Sequence, residues 1–113
     1  MTASGRHHVI VIDDRPEAAR YLRERLPDDR FEVEEHGEIA AGLTAVRDRP
    51  PCMVVVGGER TEARLACEAL REEASLAGVS VVLLVSKRVR MDELVLHWFS
   101  GRAADWTVLR PLA

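Results

Sequence analysis

VIVIDD, residues 9–14, is an unbroken run of four β-branched apolar residues closed by two carboxylates. A run without polar alternation suits a strand buried on both faces, as in a parallel sheet covered by helices. Similar runs recur along the chain, and the strands are expected at about residues 8–13, 31–35, 53–57, 79–85 and 105–109. The run at Met53–Val56 ends in Gly57 and Gly58, Val85 is followed by Ser86, and the last run leads into Arg110 and Pro111. The second strand is the most polar, with Glu32 and Glu34 set between Phe31, Val33 and Glu35, which suits a sheet edge.

Amphipathic stretches separate these runs. Ala18, Leu22 and Leu26 recur at helical spacing after Pro16, a residue suited to a first helical turn, and Pro27 marks the end of that helix. Ile39, Leu43 and Val46 form a second stripe, stopped by Pro50 and Pro51. Leu65, Ala69 and Leu70 contribute to a third before Gly78, and a fourth helix is expected at about 91–100, carrying Leu94, Val95, Trp98 and Phe99. Strand and helix in strict alternation imply right-handed crossovers, a doubly wound α/β sheet with helices on both faces, and a crevice beyond the strands' carboxyl ends. Asp13, Asp14, Gly57, Val85, Ser86, Arg110 and Pro111 all fall at such ends and define one candidate site.

Composition bounds the function. The 113 residues fit one domain, spanning 1–113, and a chain of this size buries about two-thirds of the surface it exposes when unfolded. A net charge of −3 with interspersed signs and an aromatic content of 4% argues against direct nucleic-acid binding. No apolar stretch is long enough to span a bilayer and Met1–His8 lacks a signal-peptide core, so a cytoplasmic protein is expected. Cys52 and Cys67 lack metal-ligand spacing and read as two buried thiols, while His7 and His8 read as an inert surface pair before the first strand. His36 and His97 are placed outside the crevice, so no Ser/His/Asp or Cys/His set converges there and no enzyme or cofactor is expected.

VIVIDDRPEAARYL, PPCMVVVGGER, SVVLLVSKR and DWTVLRPL, taken in order, resemble the receiver domain of two-component response regulators over nearly the whole chain. The resemblance implies a flavodoxin-like, five-stranded parallel sheet of order 2-1-3-4-5. In that family two acidic residues after the first strand help to hold Mg²⁺, as Asp13 and Asp14 would. The third strand ends in the phosphoryl-accepting aspartate, where this chain has Gly57, and the fourth in Thr or Ser, where it has Val85 followed by Ser86. The family's Lys-Pro pair becomes Arg110-Pro111, and Trp106 takes the usual aromatic place. The family's fifth helix is missing, because the sequence stops at Ala113; the chain is read as the N-terminal part of a longer protein.

The departures dictate what to expect. Acyl-phosphate formation needs a carboxylate nucleophile, and glycine has no side chain to phosphorylate. Mg²⁺ prefers an octahedral oxygen shell, so two carboxylates in place of three would hold it only weakly. Without a metal Asp13 and Asp14 repel, unless a cation fills the gap; Arg110 is the candidate for a charge-assisted contact, the alternative being that it points to solvent. Asp13 or Asp14 is also expected to cap the first helix. Gly57 and Gly58 read as a turn, or as an anion cradle with Arg60 nearby.

The expected function is therefore a degenerate receiver, not phosphorylated on aspartate, acting through a protein partner or an attached output domain. The missing helix predicts an exposed apolar face on the side of the first helix and homodimerisation through it, with Trp98, Phe99 and Trp106 as interface candidates. The alternative is a flavodoxin-like small-ligand or enzymatic domain, with Asp13 or Asp14 as acid/base and Gly57–Arg60 as an anion loop.

Overall fold

The computed structural model describes residues 6–57, 61–85 and 106–109, with backbone alone at 61, 62, 74, 85 and 106–109. In chain order the elements are β1 (His7–Ile12), α1 (Glu17–Arg25), β2 (Phe31–His36), α2 (Ile39–Asp48), β3 (Met53–Gly57), α3 (Thr61–Glu72), β4 (Ser80–Val85) and β5 (Trp106–Leu109). A 3-10 turn at Ala74–Leu76 joins α3 to β4. The strands β2-β1-β3-β4 form a parallel sheet in that order, and the backbone of β5 runs parallel beside β4. The expected fourth helix, with Trp98 and Phe99, lies outside the described residues.

Strand β1 explains the layering. Val9, Ile10, Val11 and Ile12 are each at most 3% exposed, and successive side chains point to opposite faces. Ile10 and Ile12 join Val54, Val56, Val81 and Leu83 under α2 and α3, which contribute Val46, Ala63, Cys67 and Leu70. Val9 and Val11 join Val55, Val82 and Leu84 on the other face, beneath Ala18 and Ala19 of α1. Each fully buried Val or Ile contributes about 1.5–3 kcal/mol, so β1 alone anchors both halves of the core.

Four expectations require correction. Leu65 is 52% exposed, because the buried face of α3 runs Ala63, Ala66, Cys67, Leu70, one step out of phase with the stripe expected from Leu65 and Ala69. Cys52 is exposed in the loop before β3, and only Cys67 is buried. His8 is 6% exposed inside β1, not a surface residue preceding it. On the side of α1 the face expected to be bare is covered at Val9, Val11, Val55, Val82 and Leu84, all buried, while the side chains of β5 lie outside the described residues; among those described, Leu65, on the other side of the sheet, is the exposed large hydrophobic.

Strand β2 pairs only with β1 among the described strands, in a register that runs from His7 opposite Phe31 to Ile12 opposite His36. Its alternation turns Glu32, Glu34 and His36 to the face shared with His8, and the result is a ladder of polar contacts along the edge. Nε2 of His8 lies 2.9 Å from Oε1 of Glu34, and Nε2 of His36 bonds the other oxygen of the same carboxylate. A carboxylate only accepts, so His36 donates from Nε2; Nε2 of His8 also lies 3.0 Å from the Arg49 guanidinium, which only donates, so its two contacts make opposite demands on that nitrogen. Nδ1 of His8 is buried and finds no hydrogen-bond partner among the described residues. Arg49, which follows α2, bonds Glu32 and stands 3.5 Å from Glu34, while Arg6 reaches Glu32 from the other end at 3.4 Å. On the opposite face Arg23 of α1 donates to the carbonyl of Val33 at 2.9 Å. Inward-turned charges of this kind hinder edge-to-edge pairing of sheets.

The His36 bond holds the Glu34 carboxyl below the usual carboxylate range, against the burial that would raise it, and the His8 bond adds to the lowering. A carboxyl lowered in the folded state contributes stability that is present above its unfolded value and is lost as pH falls through the folded one. Wild type should therefore exceed Glu34→Gln in urea midpoint above the ordinary value of 4.5, with the margin shrinking as the pH drops below it. A margin that grows on acidification would reverse this assignment.

Gly42 gives a second prediction. It is buried in α2, and a Cβ there would collide with Cγ1 and stand 2.6 Å from Cδ1 of Ile12, itself 1% exposed. Alanine in a helix interior normally gains about 0.5–1 kcal/mol over glycine, but overpacking a close contact costs about 1–3 kcal/mol, and the clash should win. Gly42→Ala is expected to lower the thermal midpoint; a raised midpoint would show that α2 slides freely off β1.

Candidate functional site

The acidic corner is built by the ends of β1 and β3. Ile12 pairs with Val56, so Asp13 and Gly57 follow at the same level, and Gly57 pairs in turn with Leu84, one residue before Val85. The sheet thus brings Asp13, Gly57 and the backbone of Val85 to one edge of the fold, as the sequence leads one to expect. Val85 pairs with Leu109, which places the chain leading to Arg110 and Pro111 beyond β5; those two residues and Ser86 lie outside the described ones. So do Gly58, Glu59 and Arg60, which with Gly57 would form the anion cradle. Trp106 opens β5 opposite Val82.

The two aspartates differ sharply. Asp13 is 4% exposed; its amide donates to the carbonyl of His36 at 3.0 Å, and its Oδ1 accepts from the amide of Arg15 at 3.3 Å. Asp14 is exposed. The residue at the start of α1 is Pro16, which provides no side-chain bond to close that end. The Asp13 carboxylate bonds the second residue on, just before the helix, and so helps to fix the chain reversal out of β1. His36, expected outside the crevice, ends β2 with its carbonyl against Asp13, so it belongs to the edge of this site.

The donor set does not fit Mg²⁺. Gly57 offers no oxygen from a side chain, which leaves at most two carboxylates, the buried Asp13 and the exposed Asp14, where an octahedral oxygen shell is needed. Among the described residues no group of three or more His, Cys, Asp or Glu side chains is placed to hold a metal ion. Nor is Cys67 a nucleophile in waiting, since burial first and the neighbouring Glu68 charge second push its thiol up to about 12.

Sequence reasoning missed the cluster of His8, Glu32, Glu34, His36 and Arg49. One signal for it was present: residues two apart on a strand share a face, so Glu32, Glu34 and His36 had to align. The partner, His8, depended on the β1–β2 register, which the sequence does not display.

No protein-family model matches the chain, and comparison with curated proteins finds no match. Solved structures do match. A response regulator from Thermotoga maritima superposes with a TM-score of 0.77 at 21% identity, covering 96% of this chain and 87% of that one. The signal receiver domain of a signal transduction histidine kinase from Syntrophus aciditrophicus gives 0.75 at 17%, covering 95% and 80%. The Vibrio cholerae chemotaxis protein CheY4 gives 0.74 at 14%, covering 96% and 89%. Coverage this complete, on strands in the same parallel arrangement, leaves one conclusion about architecture: the chain has the fold of the response-regulator receiver domains.

Proposed function

We propose that this chain is a signal-transduction receiver module that works without aspartyl phosphorylation, through contacts with a protein partner or an attached output domain. One observation carries the reading: at the end of β3, level with the buried Asp13, stands Gly57. A phosphoryl switch needs an acceptor carboxylate, a metal and a hydroxyl that follows the phosphate. This chain offers glycine, an incomplete donor set and Val85 at those three positions. A ligand shifts a conformational equilibrium only through its differential affinity for the two states, and neither Mg²⁺ nor phosphate has the groups here to exert one. The receiver order of five strands, with β5 closing the far edge, and a location in the cytoplasm belong to the same proposal. No helix among the described residues is long and apolar enough to cross a membrane.

Amide NMR titrations with Mg²⁺ and then beryllofluoride test it. No saturable shift is expected at residues 13–15, 57 or 85 at millimolar concentrations, whereas Gly57→Asp should bring Mg²⁺ binding into that range by supplying the third carboxylate. Saturable shifts in the unmodified chain that reach the Trp106 indole would overturn the reading.

Arg110 completes the proposal as the cation that balances Asp13 and Asp14 in place of a metal. Arg110→Ala should then lower the melting temperature at neutral pH, where both carboxylates are ionised, and lower it less at acid pH. An unchanged melting temperature at neutral pH sinks this assignment.

A further inference from the structure

A short path of bonds joins the sheet's exposed edge to the buried aspartate. The amide of Asp13 donates to the carbonyl of His36, the last residue of β2. The ring of His36 bonds Oε2 of Glu34, and Oε1 of Glu34 lies 2.9 Å from Nε2 of His8, whose ring is seated in β1. Glu34 thus spends both oxygens tying the open end of an edge strand to a ring fixed in the core. From this geometry we infer that Glu34 is a positioning residue for Asp13: it clasps the pocket end of β2 against β1 and so fixes the carbonyl on which the Asp13 amide rests.

Two features support the clasp over a passive contact. Charge-assisted bonds are about twice as strong as neutral ones, and the lowered Glu34 carboxyl stays ionised through the physiological range. The edge has no strand beyond it among those described, so its end is the part of the sheet least held by neighbours. Arg6 bears on Glu32 at the opposite end of β2, 3.4 Å away, and provides an internal comparison, whereas Arg49 also stands 3.0 Å from Nε2 of His8 and 3.5 Å from Glu34 and so belongs with the clasp. The significance of the clasp rests on reading Asp13 as part of a receiver-type pocket; its existence does not.

Amide hydrogen exchange on the full chain, with neither Mg²⁺ nor partner present, tests the inference. In Glu34→Gln the Asp13 amide should exchange about tenfold faster relative to Ile10 and Val55, whose exchange follows only the change in global stability, because a local opening is eased as well. His36→Ala should reproduce the effect and serves if Glu34→Gln folds poorly, while Arg6→Gln, which loses only a contact to Glu32, should leave Asp13 as it was. An unchanged Asp13 amide in Glu34→Gln and His36→Ala would show that the backbone ladder alone holds the site and would overturn the proposal. So would acceleration spread evenly over the sheet, or equal acceleration in Arg6→Gln. A saturable Mg²⁺ response would overturn the functional reading and leave these exchange results standing.

Discussion

The burial of β1 between β2 and β3 is the constraint on which the remaining structure depends. Val9 and Val11 supply the core under α1, Ile10 and Ile12 the core under α2 and α3, and no residue of the run can turn without exchanging the two faces. Everything at the acidic corner inherits its position from this strand. Asp13 is buried because it is the next residue after a run with no solvent-facing side, and it tolerates burial because its amide and carboxylate meet partners on β2 and in the turn to α1.

Much of this is legible in the residues alone. The strand runs and the proline stops located the described strands, α1 and α2 to within a residue or two, since β-branched runs and ring-locked prolines act locally. The corner was legible for the same reason: in an alternating parallel sheet, whatever follows each apolar run gathers at one edge, and Asp13, Gly57 and Val85 do so. What escaped depended on phase and register. Leu65 and Ala63 both sit in a plausible helical stripe, and only packing against the sheet decides which is inside. His8 looks like half of a surface pair until the chain's strand begins one residue earlier than its hydrophobicity suggests. Gly42 was invisible as a contact, because a missing Cβ shows only when the neighbour it admits is known to be Ile12.

The two edges of the corner are asymmetric in their chemistry. Among the described residues, a dense set of paired charges and imidazoles, each bonded to a neighbour, lies toward β2, while glycine and valine, which bring no polar side-chain group, end β3 and β4. Among the described residues the polar organisation of the sheet has its weight on the β2 edge, where each charge is held by bonds to its neighbours.

The near-contact between Gly42 and Ile12 has a consequence beyond packing. Any side chain at 42 requires the branch at 12 to shrink, while a smaller residue at 12 alone opens a void beneath α2. Single substitutions at either position are thus penalised, and only a paired exchange conserves volume. Descendants of this sequence should therefore vary at the two positions together or not at all, an epistatic pair linking a helix to the strand that ends in the aspartates.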